Sequence, residues 1–287
     1  MSQPRYGEIT VRELLKAHGV RPYKAMGQNF LVDTNIPEKI VRLSGIEKSC
    51  GVLEVGPGLG ALTLEISRAA GLVTAVELDG RLLPLLRDRI AGCDNVDIVE
   101  GDILKLDVVR LLYGKMPDMK YHVCSNLPYS ITTPVLTMLI GTGVFEAITV
   151  MVQKEVAKRI CAAPGSPDYG AFTVFIDYHT APKVLFDVSP ECFTPRPEVF
   201  SSVVKMEIKK DCRLGPSEEA QFFRVVRAAF GQRRKTLVNA LYASFGNSMQ
   251  KAEIEDAVRK CGFETKVRGE ALSMDEFIRL SSYFRTE

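Results

Sequence analysis

The feature that most constrains the fold is the glycine-rich segment EVGPGLGA, which lies between a short β-branched run at residues 52–55 and a helical pattern at residues 61–70. Gly56, Gly58 and Gly60 allow a tight turn and let a ligand approach the backbone closely. The following helix directs unpaired N–H groups and the positive end of its dipole toward this turn. We therefore predict a strand, turn and helix unit that binds a nucleotide-type ligand.

β-branched runs alternate with helical patterns through the first half of the chain. The predicted strands are residues 52–55, 72–77, 96–100, 121–125 and 147–152. This alternation is typical of right-handed βαβ units in a parallel sheet that helices cover on both faces. Two later runs, residues 178–188 and 201–208, predict an antiparallel pair at the edge of the same sheet.

Bulk properties exclude several classes of protein. The 287 residues are enough for one large and one small domain, and a net charge of +2 requires any nucleic-acid surface to be local. The scattered cysteines and three isolated histidines match no zinc pattern, so we expect no metal. The chain has no apolar run of roughly 18 residues and no apolar N-terminal segment, so we predict a cytoplasmic protein without membrane contact.

Acidic residues follow the next two predicted strands. Glu77, in AVELD, lies 21 residues after Gly56, at the spacing where an acid reaches ribose hydroxyls. Asp102 could accept a hydrogen bond from an adenine amino group, or could cap a helix that starts near Ile103. The glycine motif also fits an NAD-binding dehydrogenase, but we find no hydride-transfer residues in the chain.

The fourth predicted strand runs into the sequence NLPYS, which resembles the [DNS]-P-P-[YF] motifs of N6-adenine and related amino methyltransferases. An aromatic amine is a poor nucleophile because its lone pair is delocalised into the ring. Asn126 Oδ1 and the carbonyl of Leu127 could accept both N6 hydrogens, and Tyr129 could stack on the base. A sulfonium donor is already a good leaving group, so positioning and electrostatics would supply the catalysis. A proline turn that caps a helix near Thr133 is the alternative.

These motifs belong to a wider resemblance that also includes GQNFL at residues 27–31, GDILK, MVQKEVAKRI and FTPRPEVFSSVV. In this order they resemble the KsgA-type ribosomal RNA adenine dimethyltransferases. The resemblance implies an α/β, Rossmann-like S-adenosylmethionine-dependent methyltransferase fold with a seven-stranded, mostly parallel sheet and a small all-α C-terminal domain. We expect a catalytic domain at 1–210, in which 1–45 cover the cofactor, and a helical RNA-binding domain at 211–287.

The motifs and the resemblance together predict the site residues. For the cofactor S-adenosyl-L-methionine they are Gln28, Asn29, Leu31, Glu54, Gly56, Gly58, Gly60, Glu77, Leu78, Asp102, Ile103 and Asn126. The predicted catalytic residues are Asn126, Leu127, Pro128, Tyr129 and Phe193. The resemblance implies that Phe193 holds the adenine opposite Tyr129, and a core phenylalanine is the alternative.

A basic stretch without acids, residues 222–241, predicts one amphipathic helix whose apolar face carries Phe223, Val226, Phe230 and Leu237 unless Gly231 breaks it. The predicted RNA-binding residues are Arg224, Arg227, Arg233, Arg234 and Lys235, extended by Lys154 and Lys158. Cations on one face suit contact with phosphates, although a solvated helix would show the same pattern.

The resemblance implies methyl transfer to N6 of two adjacent adenosines in a hairpin loop near the 3′ end of small-subunit (16S) rRNA, giving N6,N6-dimethyladenosine during ribosome biogenesis. We expect a monomer whose partner is this rRNA within a partly assembled 30S subunit. A 23S rRNA adenine N6-methyltransferase that gives drug resistance and a non-catalytic RNA-binding assembly factor stay open. A DNA adenine methyltransferase would normally carry a duplex-recognition domain, and we find none.

Overall fold

The structure is a computed structural model that describes residues 8–20, 22, 28–210 and 214–284. Its helices are α1 (Glu8–Ala17), α2 (Asn35–Ser44), α3 (Ala61–Ala69), α4 (Leu83–Arg89), α5 (Val108–Lys115), α6 (Thr132–Gly141), α7 (Lys154–Ile160), α8 (Ala171–His179), α9 (Pro216–Gly231), α10 (Leu237–Phe245), α11 (Lys251–Lys260) and α12 (Met274–Ser281). Its strands are β1 (Phe30–Leu31), β2 (Cys50–Val55), β3 (Leu72–Glu77), β4 (Val96–Glu100), β5 (Lys120–Asn126), β6 (Phe145–Gln153), β7 (Thr180–Val188), β8 (Phe193–Thr194) and β9 (Ser201–Ile208).

Seven strands form one sheet in the order β4-β3-β2-β5-β6-β9-β7. The neighbouring strands from β4 to β6 in this order all pair in the parallel direction. The next strand, β9, pairs with β6 in the antiparallel direction. The predicted seven-stranded, mostly parallel sheet is therefore confirmed. From β2 the chain builds outward to β4 and then returns to the other side of β2 at β5. This reversal leaves a crevice at the carboxyl ends of the strands, where ligands of such sheets bind.

Burial along the strands follows their place in the sheet. Every residue of the central strand β2 is buried, whereas the edge strand β4 is only partly buried. A strand covered by helices on both faces has no solvent-facing side, so it reads as a continuous apolar run.

Among the residues that the structure describes, no helix combines the length and the apolar character needed to cross a membrane.

The chain divides into two compact units. The first comprises Met1–Ala157 and Lys183–Ile208, and the second comprises Lys158–Pro182 and Lys209–Glu287. This division differs from the single boundary expected after residue 210, because α8 packs with the C-terminal helices. The ring centroids of Tyr178 in α8 and Phe222 in α9 lie 5.1 Å apart. Such aromatic packing buries a large apolar area and joins segments that are distant in sequence.

The basic stretch at residues 222–241 is not one helix, because the break left open at Gly231 occurs. The helix α9 ends at Gly231 and α10 begins at Leu237, so Leu237 does not continue the apolar face of Phe223. The Thr236 side chain accepts the backbone N–H of Asn239 and caps α10, and an N-cap residue takes a non-helical conformation. The cations at positions 233–235 consequently lie in the turn between the two helices.

Candidate active site

A cavity in the first unit lies at the carboxyl ends of β2, β3, β4 and β5. The predicted residues that line it are Gln28, Asn29, Leu31, Glu54, Gly56, Gly58, Glu77, Leu78, Asp102, Ile103, Asn126, Leu127, Pro128 and Tyr129. Motifs that are widely separated in sequence therefore meet in one place, as the order of the strands requires. Two predicted residues, Gly60 and Phe193, are not among the lining residues.

The cavity also has further lining residues, most of them apolar, that sequence reasoning missed. These residues are Phe30, Val55, Pro57, Leu59, Ala61, Leu62, Val76, Leu82, Gly101, Ser130 and Ile131. Most of them are neighbours of motif residues and could have been found by extending each motif. Leu82 instead belongs to a buried cluster with Leu59 and with Val11 and Leu15 of α1, and no local signal predicts that contact.

The three glycines of the loop after β2 all have a positive φ, between 58° and 77°. A Cβ at Gly58 would lie 3.2 Å from the Phe30 ring beside the cavity. A Cβ at Gly60 would instead lie 2.9 Å from Leu86 Cδ1 in α4. Gly60 therefore serves the packing of α3 against α4, and its assignment to the cofactor site stays a prediction.

We expect Gly60→Ala to lower the free energy of unfolding by about 1–4 kcal/mol, because left-handed backbone and overpacking each disfavour a side chain there. Thermal denaturation would measure the loss. Gly114→Ala is the matched control: Gly114 lies in α5 with open space around it, and alanine favours a helix over glycine. Equal melting temperatures for Gly60→Ala and the wild type would contradict the packing role.

Glu54 is the most deeply buried acid in the cavity wall, with 1% of its surface exposed. The pKa of its carboxyl is raised to about 8, because burial outweighs the lowering effect of the Thr63 side chain and the nearby Glu77 carboxylate acts in the same direction as burial. Its Oε2 has no hydrogen-bond partner. A buried oxygen without a partner is costly, and a ligand that supplied a donor or a cation would remove this cost.

Glu77, at the end of β3, is held by backbone amides. Its Oε2 accepts the N–H of Gly58 at 3.0 Å, and its Oε1 accepts the N–H of Asp79 at 2.8 Å. Burial raises the pKa of the Glu77 carboxyl, and these two hydrogen bonds oppose the rise. The carboxylate is therefore fixed between the glycine loop and the turn after β3.

Asp102 lies at the end of β4, and its Oδ1 accepts the backbone N–H of Leu104 at 3.1 Å. The residues that follow form a turn, and α5 begins only at Val108, capped by Asp107. Asp102 therefore stabilises a turn and does not cap a helix near Ile103. Its side chain still lines the cavity.

One contact of the N-terminal segment was not foreseen, and it involves Asp79. The Gln28 amide Nε2 donates to Asp79 Oδ2 at 2.9 Å, and the Arg81 guanidinium binds the same carboxylate at 2.6 and 2.8 Å. Hydrogen bonding from Arg81 lowers the pKa of Asp79 to about 2. Asp79 thus ties Gln28, which lines the cavity, to the turn after β3, while Gly27 of GQNFL lies outside the described residues.

Asn126 and Tyr129 are both oriented by hydrogen bonds. Asn126 Nδ2 donates to the carbonyl of Asn29 at 3.4 Å, so its Oδ1 is the acceptor that a ligand can use. The Tyr129 hydroxyl is 2.7 Å from that of Ser201, and burial raises the pKa of Tyr129. The motif also forms a tight turn at Tyr129–Ile131, so the turn expected from Pro128 coexists with a place in the cavity wall.

Phe193 does not line the cavity. It is 2% exposed and belongs to the buried cluster that includes Ile40, Met151 and Val203. Its strand β8 pairs with β1, which places Phe193 opposite Leu31. The structure therefore favours the core interpretation of Phe193, because a side chain fully surrounded by protein cannot stack on a base without moving.

The predicted RNA-binding cations fall into different environments. In the first unit, Lys154 pairs with Asp187 at 2.5 Å. In the second, Arg224 lies 4.8 Å from the Phe245 ring centroid, and Arg233 donates to the carbonyls of Pro167 and Tyr169 at 2.9 and 2.8 Å. The cations with exposed side chains are Lys158, Arg227, Arg233, Arg234 and Lys235.

Within the described ranges, no group of three or more His, Cys, Asp or Glu side chains could hold a metal ion.

Comparison with known proteins gives matches along nearly the whole chain. The sequence model of the family described as Ribosomal RNA adenine dimethylase matches residues 21–285. A relative from Moorella thermoacetica, named ribosomal RNA small subunit methyltransferase A, is 45% identical over 276 residues, or 93% of this chain and 94% of the relative. The protein of the same name from Shouchella clausii is 43% identical over 270 residues, or 93% and 91% of the two chains.

Solved structures agree with these relatives. A dimethyladenosine transferase from Plasmodium falciparum superposes with a TM-score of 0.73 at 25% identity, covering 88% of this chain and 95% of that one. The 23S rRNA methyltransferase ErmE, at 23% identity and a TM-score of 0.69, shares the fold over 89% of this chain and 99% of its own. The resemblance inferred from the motifs is thereby confirmed, and the chain is a methyltransferase that belongs to the ribosomal RNA adenine dimethylase family.

Proposed function

We propose that the chain transfers methyl groups from S-adenosyl-L-methionine to N6 of two adjacent adenosines in small-subunit rRNA. One observation carries the proposal: the acids at the ends of β2, β3 and β4 line the same cavity as the Asn126–Tyr129 motif. The proposed cofactor site and the proposed site for the target amino group would thus be continuous. We expect N6,N6-dimethyladenosine as the product and the bacterial cytoplasm as the compartment.

The residues present fit this cofactor. The unpartnered Oε2 of Glu54 would accept its ammonium group, which is the cation that such a buried carboxylate requires. Glu77 would bind the ribose hydroxyls, and Asp102 would bind the adenine amino group. Gly56 and Gly58 keep the backbone open to close approach, and Gln28, Asn29 and Leu31 would cover the cofactor from the N-terminal segment. When bound, the cofactor supplies an activated methyl group on a sulfonium.

The remaining chemistry belongs to residues of the NLPY motif. Asn126 Oδ1 and the Leu127 carbonyl would each accept one N6 hydrogen of the target adenine and free the nitrogen lone pair. The N–H of Leu127 donates to Met151 O at 3.1 Å, which holds this backbone in place. Tyr129 would stack on the base and exclude water. A preorganised set of acceptors stabilises the charge that develops on the nitrogen, so no strong base is needed.

The comparisons support the small subunit as the source of the substrate. Relatives named for it are 43–45% identical over more than nine-tenths of this chain, whereas the likeness to ErmE concerns the fold alone. A purely non-catalytic assembly factor would not need a buried glutamate whose Oε2 lacks a hydrogen-bond partner at the proposed cofactor position. We therefore favour a small-subunit enzyme over both alternatives.

The proposal can be tested with undermethylated 30S subunits, purified protein and methyl-labelled S-adenosylmethionine, followed by nucleoside mass spectrometry. We expect labelled dimethyladenosine in the small-subunit rRNA. Transfer to 23S rRNA or DNA but not to 30S subunits would retain the chemistry and contradict the substrate. Cofactor binding without transfer to any of the three would contradict the proposed enzyme.

We further propose that the second unit binds RNA through the turn between α9 and α10. Arg234 and Lys235 are both exposed in this turn, whereas Arg233 donates to backbone carbonyls within the same unit. Two neighbouring exposed cations suit phosphate contact, and Arg227 and Lys158 add exposed positive charge to the same unit.

Replacing Arg234 and Lys235 together with alanine should weaken RNA binding most at low salt. The slope of log affinity against log salt should become shallower by about 1.5, because each lost phosphate contact contributes about 0.7–0.9. Filter binding over a salt series would measure this change. Lys115 and Lys120, which pair with Asp97 and Glu47, are matched controls whose replacement should leave the slope unchanged. Identical slopes for wild type and the Arg234/Lys235 variant would exclude this turn as the RNA site.

A further inference from the structure

The hydroxyl groups of Tyr129 and Ser201 form a hydrogen bond with an oxygen–oxygen distance of 2.7 Å, although 72 positions separate the two residues. Tyr129 lines the cavity, whereas Ser201 is 0% exposed at the start of β9. Nothing in the function proposed above uses Ser201. The bond nevertheless connects the wall of the cavity with the antiparallel strand of the sheet.

The local structure around Tyr129 does not by itself fix the ring. The turn Tyr129–Ile131 has no buried residue and no side-chain cap. Pro128 restricts the backbone before the turn but leaves the two side-chain torsions of Tyr129 free to change. A hydrogen bond at the far end of the ring fixes the direction of the ring axis and with it the first torsion, because the hydroxyl oxygen lies on that axis and moves only when the axis moves.

Ser201 is well placed to provide such an anchor. It pairs with Gln153 in the antiparallel ladder between β6 and β9. The carbonyl of the preceding residue, Phe200, accepts the backbone N–H of Lys154 at 2.9 Å. The sheet therefore fixes the backbone of Ser201, and its short side chain leaves Oγ with little freedom.

We propose that Ser201 is a positioning residue that holds the Tyr129 ring in the orientation needed to stack on the target adenine. This inference rests on the function proposed above. Stacking depends on where the ring lies relative to the base, and a displacement of about 1 Å near reacting groups can cost up to about a hundredfold in rate. RNA affinity comes mainly from phosphate contacts, so loss of the anchor lowers kcat and leaves the KM for RNA nearly unchanged.

A double-mutant cycle with Tyr129→Phe and Ser201→Ala tests the inference, because each variant removes one hydroxyl of the pair. Methyl transfer to undermethylated 30S subunits would be measured together with the dissociation constant for S-adenosylmethionine. We expect each single variant to lower kcat by about tenfold, with a double variant no slower than either single one. The affinity for the cofactor and the KM for 30S subunits should stay within about twofold of wild type, because neither depends on the exact position of the ring.

Ser67→Ala is the matched control, because Ser67 is also buried and its hydroxyl donates to the Leu64 carbonyl at 2.8 Å away from the cavity. It should cost stability but not kcat. Single effects that multiply in the double variant, or a normal kcat for Ser201→Ala, would overturn the inference. If Ser201→Ala fails to fold, Tyr129→Phe decides alone, and a normal kcat for that variant is the contradicting result. A wild-type protein that methylates no RNA would instead contradict the proposed function, and this inference with it.

Discussion

Replacing Asn126 with alanine is expected to lower kcat for methyl transfer by roughly 10²–10³-fold, the cost of removing one preorganised group that stabilises developing charge. The truncation removes Oδ1, the acceptor that would hold one N6 hydrogen of the adenine. The Leu127 carbonyl alone cannot accept both hydrogens, so the nitrogen lone pair stays delocalised in the ring. Single-turnover kinetics with undermethylated 30S subunits would measure the effect on the chemical step.

The same substitution should change the dissociation constant for S-adenosylmethionine only slightly, by about threefold at most, because Glu54, Glu77 and Asp102 remain in the cavity wall. Asn95→Ala is a suitable control. The Asn95 amide donates to the carbonyls of Ser67, Ala70 and Gly71, so its loss should lower stability and leave kcat unchanged. Near-normal turnover by Asn126→Ala would remove Asn126 from the mechanism.

The ends of the central strands could be predicted from the sequence because each carries its own local signal. Gly56, Glu77, Asp102 and Asn126 each follow a short apolar run, and the order of parallel strands determines that their ends meet. These four residues do line one cavity. Here a periodic pattern and a topological rule were enough, without any knowledge of side-chain contacts.

Contacts between distant segments could not be predicted in this way. The bonds of Gln28 to Asp79 and of Tyr129 to Ser201 join positions 51 and 72 residues apart. No propensity or spacing encodes them, because they depend on how the strands are ordered and how deeply each side chain is buried. Phe193 illustrates the same limit: its motif indicates a site residue, whereas its burial follows from the pairing of β1 with β8.

The break in the basic stretch of the second unit could be anticipated from Gly231, but its position could not be fixed from the charge pattern. A helical wheel over residues 222–241 assumes one continuous helix, but Gly231 ends α9 and Thr236 begins the cap of α10. Threonine is a good cap residue and a poor interior one, so the sequence contained a signal that the charge pattern obscured. The break moves Arg234 and Lys235 into a turn, where their side chains are exposed.

Glu54→Gln is expected to have opposite effects on the free protein and on cofactor binding. The folded protein keeps this carboxyl protonated up to a pKa of about 8, whereas the unfolded chain loses the proton near the ordinary value of 4.5. Because the folded state holds the proton more tightly than the unfolded chain, the protonated Glu54 carboxyl contributes to the free energy of unfolding. This contribution is complete below pH 4.5 and is lost as the pH rises toward 8. A glutamine cannot titrate, so the variant should lack this decline. Urea unfolding at a series of pH values would show the difference.

Cofactor binding should change in the other direction. The ammonium group of S-adenosylmethionine would pair with ionised Glu54, so the neutral glutamine should weaken binding by roughly 10–100-fold, the loss of one buried charged partner. At pH 7 the wild type must release a proton from Glu54 as the cofactor binds, because this pH lies below its pKa of about 8. Calorimetry in two buffers of different ionisation enthalpy would count that proton, and the glutamine variant should release markedly fewer.

Glu65→Gln provides the control for both measurements, because Glu65 forms a surface ion pair with Arg68 at 2.6 Å and does not line the cavity. It should leave cofactor affinity and proton release unchanged, since a surface ion pair contributes little. Stabilisation of the free protein by Glu54→Gln together with weaker binding would mean that the buried carboxyl is retained for the ligand at the expense of the fold. Unchanged affinity and unchanged proton release would show instead that Glu54 stays protonated in the complex and does not bind the ammonium group.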